Sequence, residues 1–279
     1  MLPICLPILL RLSALRRPSA LRRPFALHRA VAATLLLCLS PLAWAARPLV
    51  TDDARIVDPQ SCQLESWLRF NRDGTERWAL PGCNFTGNVE WTFGGAVQRY
   101  GDGPGNAITD LQFQGKTVLK PVETNGYGVA LTVGMTEYPK AERRRTPGGL
   151  FLNLPLTVSL RDDRLLLHAN VGATHDRAER QTRMTWGVAS EATVNERLAL
   201  IAESFGESGD RPWIQLGMRV WIVPQRVQVD MTWGTQVNQP RETRFVSVGL
   251  RLLSPSWGKL IPAGAAARAC ARRRFSYTP

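Results

Sequence analysis

The sequence predicts an all-β fold, an antiparallel transmembrane β-barrel of about 12 strands that follows a cleaved signal peptide. Apolar and polar residues alternate along many segments, and this period of two is typical of a β-strand. Many of the segments are about ten residues long, the length that a tilted strand needs to cross a bilayer. Short and long connections also alternate, as in a barrel with one tight rim and one looped rim.

The first element is a predicted signal peptide, residues 1–45. It has an arginine-rich start, an apolar stretch from Ala30 to about Leu42, and the sequence Ala-Trp-Ala at 43–45. This order predicts cleavage after Ala45. We therefore expect an exported protein of the bacterial outer membrane, with a periplasmic N-terminal segment at 46–61, a barrel at 62–253 and a disordered C-terminal tail at 254–279.

The barrel strands follow from the alternation of apolar and polar residues. Between them, the predicted connections "TGN", "PVETNG", "RDD", "NER" and "PQR" are short, and the intervening ones are mostly longer. In the segment 150–160, leucines or valine occupy every second position, and we expect them to face lipid. The predicted strands lie near 62–70, 77–85, 89–99, 108–119, 127–136, 150–160, 164–174, 182–194, 198–205, 213–222, 227–235 and 244–253.

The opposite face of the strands carries charged residues, which a membrane barrel turns toward its lumen. The predicted lumen-lining set combines acids and bases: Glu65, Arg69, Glu90, Asp110, Lys116, Arg183, Glu191, Glu203, Arg219, Asp230 and Arg251. Charges of both signs inside a narrow barrel either pair with one another as structural cross-braces or select the solutes that pass.

The formal net charge of +12 does not indicate a nucleic-acid partner. Of the 35 basic residues, six precede residue 47 and five follow residue 258, which leaves 24 against the 23 acidic residues between these positions. A groove that binds phosphates needs Lys and Arg clustered within the folded domain. The body of the chain is close to neutral, so we expect no nucleic acid among its partners.

Two cysteines of the predicted barrel, Cys62 and Cys83, flank the turn at 71–74. With residues 72 and 73 at the tip of the hairpin, Cys62 lies directly opposite Cys83, and a disulfide at the short-turn rim is expected. A turn centred one residue later would pair position 62 with 85 and leave the thiols diagonal. Two histidines and no closely spaced cysteine pair remain after export, so we predict neither a metal site nor a cofactor.

The segment "RPLVTDDARIVDPQSCQLESW" at 47–67 resembles a family of outer-membrane barrel proteins labelled "MetA-pathway of phenol degradation". In its general pattern of residues, the resemblance extends over about residues 47–253. It implies an outer-membrane barrel with a role in moving small compounds, apolar or aromatic ones among them. It implies no catalytic residue.

Three classes of function remain. The first is a passive, porin-like channel or transporter for a small-molecule solute, with outer-membrane lipid around it. The second is a structural or surface-interaction barrel whose loop residues Arg143, Arg144 and Arg145 bind lipopolysaccharide or a partner. The third is a lipid-acting hydrolase using His175 with Ser190 or Ser204, but the motif G-x-S-x-G is absent. We expect a protein that is not an enzyme.

Overall fold

The computed structural model describes residues 49–100, 106–139 and 148–256. The signal peptide, the loop residues Arg143, Arg144 and Arg145, and most of the C-terminal tail lie outside the described residues. Within them, no helix is long and apolar enough to cross a membrane.

The described residues form a closed antiparallel β-barrel of 12 strands, in which each strand pairs with its neighbours in sequence and the last pairs with the first. This confirms the predicted fold class. The first and last strands close the ladder from Gln63 opposite Leu253 to Phe70 opposite Val246. The strands are β1 Ser61–Asn71, β2 Gly74–Asn84, β3 Val89–Tyr100, β4 Asn106–Lys120, β5 Tyr127–Glu137, β6 Gly149–Leu160, β7 Leu165–Asp176, β8 Gln181–Thr193, β9 Leu198–Glu207, β10 Trp213–Val223, β11 Val227–Gln236 and β12 Phe245–Leu253.

Strand β2 differs most from its predicted bounds, since it begins at Gly74 rather than near residue 77. The polar residues Thr75 and Glu76 show no apolar alternation, yet they pair with Phe70 and Arg69 of β1. Hydrogen bonds of the tight hairpin therefore extend the strand beyond what the side-chain pattern indicates.

The barrel is apolar outside and polar inside. Leu150, Leu152 and Leu154 alternate as exposed side chains along β6, whereas Glu90 and Asp230 are buried among the polar residues of the interior. A soluble protein would bury the leucines and expose the carboxylates. The inverted arrangement suits a barrel surrounded by lipid tails, and it explains why each strand alternates.

The connections after the even-numbered strands form one rim, which we call the short-turn rim: 85–88, 121–126, 161–164, 194–197 and 224–226. Two of its turns bind each other, because Asn125 donates through Nδ2 to Asp162 Oδ1 at 2.6 Å and accepts from Asp162 N at 2.8 Å. Hydrogen bonds from the hydroxyls of Ser159 and Thr124 lower the pKa of Asp163 below its usual range. The opposite end is the looped rim.

The predicted disulfide is present and joins Cys62 to Cys83 near the short-turn rim. The two residues lie directly opposite each other, and the register continues to Asn71 opposite Gly74. The turn is therefore formed by residues 72 and 73, and the alternative register with position 85 is wrong.

Candidate functional site

The lumen contains a stretch of the chain that belongs to no strand, residues 49–57, which we call the plug. It precedes β1, and its side chains of Leu49, Ala54 and Val57 are buried. The sequence places these residues in the N-terminal segment 46–61 and gives no indication that they enter the barrel. The position of the plug is therefore a finding of the structure alone.

Two buried glutamates hold the ends of the plug by its main chain. Glu203 accepts hydrogen bonds from the backbone N–H groups of Val50, at 3.1 Å, and Thr51. Glu90 accepts one from the backbone N–H of Val57 at 2.8 Å. Backbone N–H groups inside a protein need an acceptor, and these carboxylates supply it.

Neutral side chains hold the middle of the plug. Asn170 accepts from the backbone N–H of Asp52 at 2.8 Å and donates through Nδ2 to the carbonyl of Asp52 at 2.8 Å. The hydroxyl of Thr157 accepts from the backbone N–H of Ala54 at 2.8 Å. Strands β3, β6, β7 and β9 thus all contribute side chains that bind one extended segment.

Lys116 recognises the two acidic side chains of the plug. Its ammonium group lies 2.9 Å from Asp52 Oδ1 and 3.2 Å from Asp53 Oδ1, with the lysine side chain only 8% exposed. An ion pair of this kind in the interior depends on every partner, because an unpaired buried charge is costly.

Gly187 of β8 lies next to Thr51 of the plug. A Cβ atom at this position would lie 2.4 Å from Thr51 Oγ1 and 3.2 Å from Thr51 Cβ. The three nearest atoms all belong to Thr51, so the missing side chain provides space for the plug and not for a neighbouring strand.

On the side of the plug toward the short-turn rim, the charged side chains of the interior pair with one another. The guanidinium of Arg219 binds Glu191 and, through Nε at 2.9 Å, Asp230 Oδ1. On the neighbouring side of the barrel, Arg251 Nε lies 3.7 Å from Glu65 Oε1. These pairs join different strands, and the pair of Arg219 with Glu191 reaches past β9 from β10 to β8, so they are the cross-braces considered from the sequence.

Most of the predicted lumen-lining residues lie around one cavity. A small central cavity of about 60 Å³ is lined, with plug residues, by Glu65, Glu90, Lys116, Glu191, Arg219, Asp230 and Arg251. Glu203 binds the plug, and Arg69 lines a separate cavity above it. Arg183 is half exposed in its ion pair with Glu207 near the looped rim, and Asp110 is half-buried on β4. Sequence reasoning missed Asn170, Thr157 and Gly187, whose partners lie in the plug.

Above the plug, toward the looped rim, lies a cavity of about 280 Å³ with aromatic walls. The rings of Trp67 and Trp78 stack at 5.1 Å between centroids, and Phe245 lines the same cavity. The guanidinium carbon of Arg69 lies 3.9 Å from the centroid of the Phe245 ring, an arrangement that favours cation–π attraction. Leu49 and Val50 of the plug complete the wall.

On the other side of the plug, a wider cavity of about 700 Å³ extends to the short-turn rim. Its lining includes plug residues Asp53 and Arg55, the turn residue Arg226, and Trp221. Plug residues line both of the larger cavities, and the plug thus separates the space toward one rim from the space toward the other.

The candidate hydrolytic residues are not brought together. His175 contacts Thr182 at 2.9 Å near the looped rim, and Ser190 lies eight positions along β8 from that contact. Ser204 donates to the carbonyl of Trp213. Within the described residues, no group of three His, Cys, Asp or Glu side chains could hold a metal ion.

A different hydroxyl, imidazole and carboxylate do line up inside the barrel. His168 Nδ1 lies 2.9 Å from Thr157 Oγ1, and His168 Nε2 lies 3.4 Å from Glu191 Oε1. However, Thr157 is fully buried and its hydroxyl also accepts from the plug at Ala54. A substrate therefore has no access to this hydroxyl while the plug is in place, and Thr157 positions the plug.

Solved structures of porins have a similar fold. A family model described as "Uncharacterised conserved protein UCP029691" matches residues 34–253. The structure of the KdgM porin is similar over 69% of this chain and 98% of its own, with 10% identity and a TM-score of 0.52. A structure described as "KdgM porin in complex with disordered oligogalacturonate" has the same coverage and identity and a TM-score of 0.50. No curated protein sequence matches the chain. The resemblance to the phenol-degradation group stays a prediction.

Proposed function

The chain belongs to the family described as Uncharacterised conserved protein UCP029691, and from the structure of this member we propose that it is an outer-membrane channel for small solutes. The observation that carries the proposal is the lumen itself. Polar side chains line it, and cavities of about 280 Å³ and 700 Å³ lie on its two sides. A barrel that served only as a scaffold would have no need for two such spaces along one axis.

The outer membrane is the expected location for two reasons. The start of the chain has the pattern of an export signal, and the fold is that of a known porin. A closed barrel satisfies every strand's backbone hydrogen bonds, which is the condition for crossing a bilayer with strands. The exposed leucines of β6 provide part of the apolar belt.

The solute class follows from the cavity above the plug. Aromatic rings offer flat apolar faces, and Trp67 and Trp78 present such faces beside the cation of Arg69. Glu76 lines the same cavity and offsets the charge of Arg69, so solutes with a flat apolar face suit these walls. This choice agrees with the apolar or aromatic compounds that the sequence resemblance implies.

Planar-bilayer recording of the refolded protein tests the channel. We expect brief current steps, and we expect added benzoate to shorten their duration more than added acetate does. Only benzoate carries a ring that can bind to the aromatic walls of the cavity. The substitution Trp67→Ala should weaken the effect of benzoate. Trp233→Ala is the matched control, since Trp233 is 46% exposed on the outer face. Absence of current from the wild-type protein and from variants with a displaced plug would contradict a channel.

The structural or surface-interaction barrel is the second candidate, and the paired interior charges favour it. Arg219 with Glu191 and Asp230 braces β8, β10 and β11 together, as a purely structural lumen requires. This candidate predicts no current under any condition. It also predicts binding to lipopolysaccharide that is lost when Arg143, Arg144 and Arg145 are replaced by alanine.

A further inference from the structure

We propose that the barrel interior is a binding site for an extended peptide, filled by the chain's own residues 49–57, and that this plug leaves and re-enters while the barrel stays closed. The functional consequence of this inference rests on the proposed channel, because release of the plug would join the cavities of about 280 Å³ and 700 Å³ on its two sides. The site itself does not depend on conduction.

The barrel is complete without the plug. Its 12 strands pair in a closed ring, and the ring closes between β1 and β12 without a contribution from residues 49–57. The hydrogen bonds described for the main chain of the plug run to side chains, such as those of Glu203 and Glu90. Removal of the plug therefore breaks no pairing between strands.

The side chains around the plug recognise a peptide in the manner of a binding groove. Main-chain contacts from Glu203, Asn170, Thr157 and Glu90 give affinity without regard to sequence. Specificity comes from two further contacts. Lys116 pairs with the adjacent acids Asp52 and Asp53, and the space at Gly187 fits the size of Thr51.

The contacts that hold the plug are mostly polar, and water can replace them. Its apolar burial is small: Leu49 packs with Ala189 and Ile201, and the buried Ala54 and Val57 add little surface. Folding of a domain core depends on far larger apolar areas. The plug is thus held by interactions that a hydrated lumen can exchange, so its release costs far less than unfolding of the barrel.

A route out of the barrel is already present. The cavity of about 700 Å³ lies between the plug and the short-turn rim. The plug connects to β1 through a turn at 58–61, in which Gln60 has a φ of 57° and Ser61 N donates to the carbonyl of Asp58. The disulfide at Cys62 fixes the start of β1 to β2, so motion of the plug ends at this turn.

A change of size at the contact of Gly187 with Thr51 tests the proposal. The Cβ of Gly187→Ala would lie 2.4 Å from Thr51 Oγ1 and should displace the plug. Thr51→Gly in the same chain removes this hydroxyl and the Cβ behind it and should restore the plug. Gly206→Ala is the control, because its Cβ meets only Trp186 at an ordinary 3.4 Å. Thr51→Leu enlarges the side chain that faces Gly187 from the plug side, outside the strands, and serves as the second variant should Gly187→Ala prevent assembly.

Trypsin cleavage after Arg55 in the folded protein reports release of the plug without reference to current. We expect cleavage at least tenfold faster in Gly187→Ala or Thr51→Leu than in the wild type, and a return toward the wild-type rate in the double variant. Equal rates in the wild type, both collision variants and Gly206→Ala would overturn the inference. Faster cleavage with no current in any variant would support a releasable plug and reject the channel.

Discussion

Replacement of Lys116 by methionine should release the plug. Methionine fills a similar volume but leaves the carboxylates of Asp52 and Asp53 without the ammonium group that lies 2.9 and 3.2 Å away. Removal of one partner from a buried ion pair costs about 3 to 5 kcal/mol. We expect the low end, because Asp53 keeps a hydrogen bond from the backbone N–H of Arg55 at 3.0 Å.

A cost of about 3 kcal/mol corresponds to about a 100-fold change in the equilibrium between inserted and released plug, since 1.4 kcal/mol is a factor of ten. Most of the cost affects the plug, whose two carboxylates bind the ammonium group directly, and a smaller part affects Glu90, which lies opposite Lys116 on β3. Released carboxylates regain water, whereas the pairing of β4 with β3 and β5 does not involve the Lys116 side chain. The barrel should therefore keep its folded migration on a gel.

Trypsin cleavage after Arg55 measures this change, because cleavage tracks the released fraction when release and return are fast. Lys120→Met is the matched control. It makes the same substitution on the same strand, but Lys120 contacts the carbonyl and ring of Tyr127 and not the plug. If the Lys116 variant is cleaved no faster than the Lys120 variant, then the ion pair does not hold the plug and our reasoning is refuted.

Three further predictions concern the barrel. The mature protein should resist unfolding in detergent until boiled, because a closed ladder has no edge strand to fray; identical gel migration of boiled and unboiled samples would oppose this. Leu154→Arg should impair membrane insertion by about 2 to 4 kcal/mol, because it places a charge among the lipid tails. Asn153→Ala, on the inner face, should have a smaller effect. Equal insertion of the two variants would mean that our assignment of the faces is wrong. Peptide mapping without reductant should find Cys62 linked to Cys83, and full alkylation of both thiols before reduction would exclude the bond.

The strands and their faces could be predicted from the sequence because both depend on neighbours along the chain. A period of two appears within a few residues, so the lipid-facing leucines of β6 were identified without knowledge of the fold. The first tight turn limited the partner of Cys62 to position 83 or 85, and the structure selects Cys83. Each of these features is decided over a short stretch of sequence.

Only the tertiary structure decided what occupies the lumen. Residues 49–57 have no strand period, and their partners are distant, since Val50 N and the Glu203 carboxylate are separated by 153 positions. Parity predicted that Glu203 and Lys116 point inward, but not that they bind the plug. The pairing of inward charges depends on how strands are staggered around the closed barrel, and the space at Gly187 has meaning only beside Thr51. A local pattern carries no information about which groups meet across the lumen, because barrel closure brings them together.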